Sequence, residues 1–206
     1  MDCNEVRLYN SCASGNIHLV KSFCNNLDPT YDINIITRAF KTACYNGNLN
    51  IVKHLLYNYP HINVSDVEDE AIRWTCTNGQ LEVVKYLLDN YPSINIHSKN
   101  EESFRHACIK NKLDIVSYLL KNYPDIDITM CKDEAFIICC ERGYLEIIYL
   151  LVKKNPYRYK IFYIKDYRKV IFYICDTKQE KMEKYWITDK SNYDNQYLFN
   201  KINLFV

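Results

Sequence analysis

The feature that most constrains this chain is a step of 32 residues. Gly15, Gly47, Gly79 and Gly143 fall at multiples of that step, and Asn111 fills the remaining place. Prolines keep the same interval at Pro60, Pro92, Pro124 and Pro156. Three positions ahead of each turn stands Cys12, Cys44, Cys76, Cys108 or Cys140, and seven ahead stands Leu8, Phe40, Ile72, Phe104 or Phe136. Coincident registers of this kind mark an internal repeat. Each copy is a small unit that cannot bury its apolar face alone and must stack on neighbours.

The clearest copy is CTNGQLEVVKYLLDNYP, Cys76 to Pro92. Leu81, Val84, Leu87 and Leu88 form an apolar stripe of helical period, with Glu82, Lys85 and Asp89 on the watered side. Asn78-Gly79 punctuates its start and Pro92 its end. A shorter helix precedes each turn, predicted over Thr37–Tyr45, Asp69–Thr77, Ser103–Ile109 and Asp133–Glu141. Asp69-Glu70, Glu101-Glu102 and Asp133-Glu134 place acids at the helix starts, where they suit the helix dipole. After each proline the alternation Ile-Asn-Val, Ile-Asn-Ile or Ile-Asp-Ile predicts a short extended arm. The first copy is irregular, with Asp28-Pro29 out of step and Tyr31-Asp32-Ile33 added before its arm.

These residues resemble the ankyrin repeat family. Its pattern TPLHxAAxxGHLEVVKLLLxxGADVN is similar to ESFRHACIKNKLDIVSYLLKNYPDIDI and its sister segments, over roughly residues 4–156. The resemblance implies an all-α, helix-turn-helix solenoid of about five repeats over 1–156, with 157–206 a divergent C-terminal cap or tail. Three departures stand out. Glu-Ala or Glu-Ser replaces the Thr-Pro of the first helix, Tyr59, Tyr91 and Tyr123 with their prolines replace the loop glycine, and each unit is one residue short. They leave the hairpin geometry open. The Asn-Tyr-Pro form also resembles ankyrin proteins of large DNA viruses that infect amoebae.

Beyond Pro156 the register fails. Residues 157–206 carry ten Lys and Arg against six Asp and Glu. Lys160–Lys165 and Lys169–Cys175 read either as strands or as a degenerate sixth helix pair. From about Asn192 onward the pattern leaves order open, with Leu198, Phe199 and Leu204 as residues that could dock.

A net charge of +1 argues for no overall attraction to nucleic acid or membrane, and no apolar run approaches a transmembrane helix. The start MDCNEVRLYN lacks the basic and apolar regions of a signal peptide, so an intracellular, cytoplasmic protein is expected, in the host cytoplasm if viral. Reduced thiols follow from that compartment. The cysteine ladder matches the second alanine of the family's Ala-Ala pair, which implies a small buried stacking position. The HExxH, CxxC, GxxxxGK and GxGxxG patterns are all missing, so neither metal, cofactor nor catalytic residues are expected. His106-Ala107-Cys108 fails as a nucleophilic dyad, because i and i+2 of a helix face apart.

Surface is what remains, and the expected function is a protein–protein interaction scaffold without a small-molecule substrate. The resemblance implies that partners meet the hairpin tips and the inner side of the first helices. By position these are Thr42, Tyr45, Arg73, Trp74, Thr77, Lys99, His106, Lys110, Ile138 and Arg142. Trp74 leads the set, since exposed tryptophan among polar neighbours is typical of interface hot spots, the alternative being that it packs under its own hairpin. Two other classes compete with this reading. The basic, aromatic tail could stack on single-stranded nucleic acid or another polyanion, and an exposed low-pKa cysteine could act as a thiol sensor.

Overall fold

The computed structural model describes residues 3–25, 33–164, 169–176 and 181–187. Asp28-Pro29, Tyr31-Asp32 and everything from Asn192 onward lie outside them. Ten helices are described, α1 (Cys3–Ser14), α2 (Ile17–Asn25), α3 (Ile33–Tyr45), α4 (Leu49–Asn58), α5 (Asp66–Asn78), α6 (Leu81–Asn90), α7 (Ser98–Ile109), α8 (Leu113–Asn122), α9 (Met130–Arg142) and α10 (Leu145–Lys154). They form five helix-turn-helix units of the ankyrin type. The chain divides into two compact units, Met1–Met130 and Cys131–Val206.

In the first unit, α1, α3, α5 and α7 pack in sequence as one layer, while α2, α4 and α6 pack as another. The 32-residue register sets the core. Leu8, Phe40, Ile72 and Phe104 are buried at the same height in successive first helices, as are Cys12, Cys44, Cys76 and Cys108. Burial raises the pKa of Cys12 and Cys76 to about 12, and pushes that of Cys44 up as well. Thiols held in that state are packing groups, not nucleophiles.

The two helices of a unit are joined at a left-handed residue. Gly79 (φ 81°) ends α5, with its N–H on Cys76 O and the N–H of Gln80 on Thr75 O. Asn111 adopts φ 55° at the equivalent place with the same pair of bonds, to Cys108 O and Ala107 O. Asparagine tolerates that region better than most residues, which is why the step survives without glycine. The next residue ties adjacent units together. Asn48 donates to Cys12 O at 2.7 Å, and Gln80 to Tyr45 O at 3.3 Å.

At the other end of each second helix the tyrosine-proline substitution decides the geometry. Tyr59, Tyr91 and Tyr123 leave the helix at φ between −128° and −125°, not in the left-handed region. A following proline disfavours helical backbone in the residue before it, so the helix stops there without glycine. The arms that follow are turns, not the extended segments expected. Ile62 N–H bonds Tyr59 O and Asp66 N–H bonds Asn63 O. Asn63, Asn95 and Asp127 each accept the N–H two residues on, at 3.2, 3.0 and 2.9 Å. This local bond favours a turn over a strand. Ile62, Val64, Ile96, Ile126 and Ile128 are folded inward.

Three successive residues then wind left-handed at the start of α5, α7 and α9: Val67–Asp69, Lys99–Glu101 and Cys131–Asp133. Each such residue costs about 1–2 kcal/mol in a non-glycine chain. Charged hydrogen bonds offset that cost. Arg73 donates to the carbonyls of Glu68 (2.9 Å) and Val67 (3.1 Å), and Arg105 to those of Asn100 (2.8 Å) and Lys99 (3.5 Å). Asp69 and Glu101, placed by the sequence as helix-dipole acids, are in fact buried. Asp69 accepts from Asn95 N–H and Ser98 Oγ, and Glu101 from Asp127 N–H and His97 Nδ1.

In the second unit, α9 and α10 are followed by β1 (Tyr159–Ile164), β2 (Lys169–Asp176) and β3 (Lys181–Ile187), an antiparallel sheet in the order β1-β2-β3. The described residues of the two runs left open between strands and a sixth helix pair are therefore strands. Tyr159 is fully buried and stacks on Phe136, ring centroids 4.0 Å apart. Asp133 accepts from the Tyr159 hydroxyl at 2.7 Å and from Arg158 at 2.7 and 2.5 Å.

Candidate functional site

Trp74 lies on α5, five residues ahead of the Gly79 turn, and remains 42% exposed. Its ring meets Tyr45, the last residue of α3, edge to face, with centroids 6.3 Å apart and planes at 85°. Tyr45 is itself 46% exposed, so two neighbouring first helices present an aromatic pair to solvent. Two open depressions share Trp74 as a wall. One, of about 500 Å³, continues past Thr42 to Arg38, Lys41, Asp66 and Glu70. The other, of about 450 Å³, runs past Tyr45, Thr77 and Asn78 to Glu102, His106 and Lys110.

Their walls are charged and internally paired. Lys41 bonds Glu70 at 2.8 Å and Asp66 at 3.0 Å. Burial works against the Lys41 charge, but its bonds to Glu70 and Asp66 outweigh it and raise the pKa. Across Trp74, Glu102 accepts from Arg73 at 2.6 Å and stands 3.8 Å from His106 Nδ1. Burial lowers the His106 pKa; Glu102 opposes this, while Arg105, Arg73 and Lys110 add to it. The imidazole is therefore neutral at pH 7, a ring that can stack or exchange hydrogen bonds.

Tyr45, Trp74, Thr77, His106 and Lys110 line one depression together, and Thr42 lines the other. The hydroxyls of Thr42 and Thr77 are turned back onto Arg38 O and Arg73 O, each at 2.8 Å. Lys99 is exposed in the left-handed turn of α7 and pairs with Glu68 in that of α5. Arg73 is a correction to the predicted surface. It is only 8% exposed, because its guanidinium clamps the Val67–Glu68 carbonyls and Glu102. Ile138, half-buried, and Arg142, exposed, lie on α9 in the second unit.

The sequence reading missed Lys41, Glu70, Glu102 and Lys112 as lining residues. Glu102 was read only as a helix-start acid. Lys112 is in register with Asn48 and Gln80, the residues that reach back across the turn, and that register was its available signal. Among the described residues, no group of His, Cys, Asp and Glu is arranged to hold a metal ion, and no helix is long and apolar enough to cross a membrane.

Stacked helix-turn-helix units with a variable exposed face define a helical repeat scaffold. The sequence profile described as "Ankyrin repeats (3 copies)" matches residues 40–130 and 72–161, more than half of the chain. The chain belongs to the ankyrin repeat family, whose repeats generally mediate protein–protein interaction. No curated protein matches it. Among solved structures it is similar to an ankyrin repeat family protein from Legionella pneumophila, at 20% identity and a TM-score of 0.50. That match covers 74% of this chain but only 49% of the Legionella protein, so this chain spans about half of that length.

Proposed function

We propose that this chain is a non-catalytic adaptor that binds a partner protein along the first-helix face of its repeats, centred on Trp74. The observation that carries the reading is the exposed Trp74–Tyr45 pair set between two open depressions. Tryptophan and tyrosine give large contact area at low entropic cost, and their polar tips tolerate exposure in the free state. Thr42, Thr77, His106 and Lys110 lie around the pair, Lys99 presents its charge from the turn at the start of α7, and Ile138 and Arg142 continue the register on α9. Residues 1–156 serve as the repeat array, with 157–206 as its cap. The resemblance of the Asn-Tyr-Pro loops to viral ankyrin proteins supports a host protein in the cytoplasm as partner.

The test is affinity purification of the tagged full-length chain from expressing cells, followed by mass spectrometry, with wild type beside Trp74→Ala/His106→Ala. A partner held by wild type and released by the double variant is the expected result. Retention of every partner at unchanged yield would refute the Trp74 face.

A further inference from the structure

We propose that a second site lies on the opposite, second-helix face of the first unit, where α2, α4 and α6 run side by side, and that it takes an acidic peptide segment. A depression of about 830 Å³ opens there, lined by Lys21, Lys53, His54, Tyr57, Tyr86 and Tyr91, with Ile17 and Leu56 also in its lining. None of the residues around it is a carboxylate. The site shares no residue with the Trp74 depressions.

The 32-residue register shows how the positive charge arises. Lys21, Lys53 and Lys85 occupy equivalent positions on successive second helices. Lys85 is neutralised by Glu82, three residues ahead, at 2.9 Å. The same place is held by His18 ahead of Lys21 and by Asn50 ahead of Lys53. Two lysines have thus lost the acid that pairs the third. Lys53 stands instead over the Tyr86 ring, 5.1 Å from its centroid, an aromatic contact that holds an ammonium without neutralising it.

His54 adds an unused donor. The Asn58 side-chain nitrogen donates to His54 O at 2.8 Å and lies 3.1 Å from Nδ1. An amide nitrogen only donates, so Nδ1 is the acceptor and Nε2 of the neutral ring carries the proton. That Nε2–H is enclosed and has no hydrogen-bond partner. Buried donors without acceptors are rare in native proteins, and this one belongs to a residue that lines the depression.

Size and chemistry select the occupant. The basic spot is local, because the lysine column ends at Lys85 and gives way to Ser117 and Tyr149. A nucleic-acid backbone would need the charge to continue along its track. Tyr57, 87% exposed, stands beside the spot together with Ile17 and Leu56. Two cationic groups beside such aromatic and aliphatic surface suit a short peptide that alternates carboxylates with an aromatic side chain.

The experiment is fluorescence anisotropy of the full-length chain with a fluorescein-labelled peptide of four Glu-Glu-Phe units. Its controls are the same peptide with lysine for glutamate, a single-stranded RNA of equal length, and inorganic phosphate as competitor. Two variants close the site by different routes. Lys21→Glu/Lys53→Glu reverses the charge, while His18→Glu/Asn50→Glu leaves both lysines and restores the acid that Lys85 already has. Circular dichroism melts establish that each is folded, and Lys21→Gln/Lys53→Gln replaces the charge reversal if that variant is not. The site predicts that the acidic peptide binds, that both closing variants weaken it by about tenfold or more, and that Trp74→Ala leaves it unchanged. Absence of binding, tighter binding of RNA or the basic peptide, full displacement by phosphate, loss in only one closing variant, or loss in Trp74→Ala would each overturn it.

Discussion

The Asp133 carboxylate receives the Tyr159 hydroxyl across 26 residues of chain. The same separation joins Asp69 to the Asn95 N–H and Glu101 to the Asp127 N–H. In the third and fourth repeats this buried acid fixes the arm that follows. After the last repeat no such arm exists, and the first strand of the sheet arrives at the same place, with Arg158 beside it. The C-terminal segment thus reuses the repeat's own docking position, although its sequence has left the register.

Replacing Asp133 by alanine should therefore be costly, since it strands a cation and a buried hydroxyl. Breaking one partner of a buried charged pair costs about 3–5 kcal/mol. Arg158 is about 28% exposed, so the lower end is expected. Urea unfolding of Asp133→Ala should show a loss of about 3 kcal/mol; a loss below about 1 kcal/mol would mean that the sheet is held by other contacts.

Arg73 offers a parallel test of the left-handed turns. Lysine keeps the charge but lacks the planar fork that serves two carbonyls and Glu102 together. Arg73→Lys is expected to destabilise by about 1–3 kcal/mol. Trp74→Ala, one residue on, should cost only about 1 kcal/mol, the scale of its edge contact with Tyr45. The two thermal midpoints should separate clearly, and equal ones would contradict the division between clamp and surface.

Thiol labelling separates packing cysteines from accessible ones. Cys3 and Cys131 are exposed, while Cys12, Cys44, Cys76, Cys108, Cys139 and Cys140 are buried. An aromatic disulfide reagent at neutral pH should modify the first two at once and the other six only on unfolding. Rapid reaction of a ladder thiol in the native chain would reopen the thiol-sensor reading.

Gly79→Ala addresses the turn. At φ 81° an alanine is strained, and its Cβ would meet Lys112 Cδ at 2.8 Å. Because the lysine end can move, the backbone term dominates, and a loss of about 1–2 kcal/mol in chemical denaturation is expected. An unchanged midpoint would show that the turn relaxes.

Acidification should weaken the fold through His54 and His106. Both pKa values are lowered from 6.5, in each case chiefly by burial. The unfolded chain then binds protons before the native one, so stability holds above about pH 6.5 and falls as the pH drops toward the lowered native values. The double variant His54→Gln/His106→Gln should lose less stability than wild type between about pH 7.5 and about pH 5 in calorimetry. An identical pH dependence would remove these histidines as its source.

The sequence by itself determined the repeat, because stacking demands that every unit place the same residue types at the same heights. Phe40, Ile72 and Phe104, the cysteine ladder and the Gly79 turn all follow from the 32-residue step. Tertiary structure decided what the period cannot encode, namely which unit a polar side chain serves. Asp69 reads as an acid suited to its own helix dipole, yet it bonds a residue 26 positions on. Arg73 reads as surface beside Trp74, yet it is drawn inward by carbonyls that only a left-handed turn points at it. The arms alternate like strands, but Asn63, Asn95 and Asp127 curl them into turns that no neighbouring strand could compete with. Periodicity reports which side of an element is buried; the partner of a buried charge is fixed only when distant segments meet.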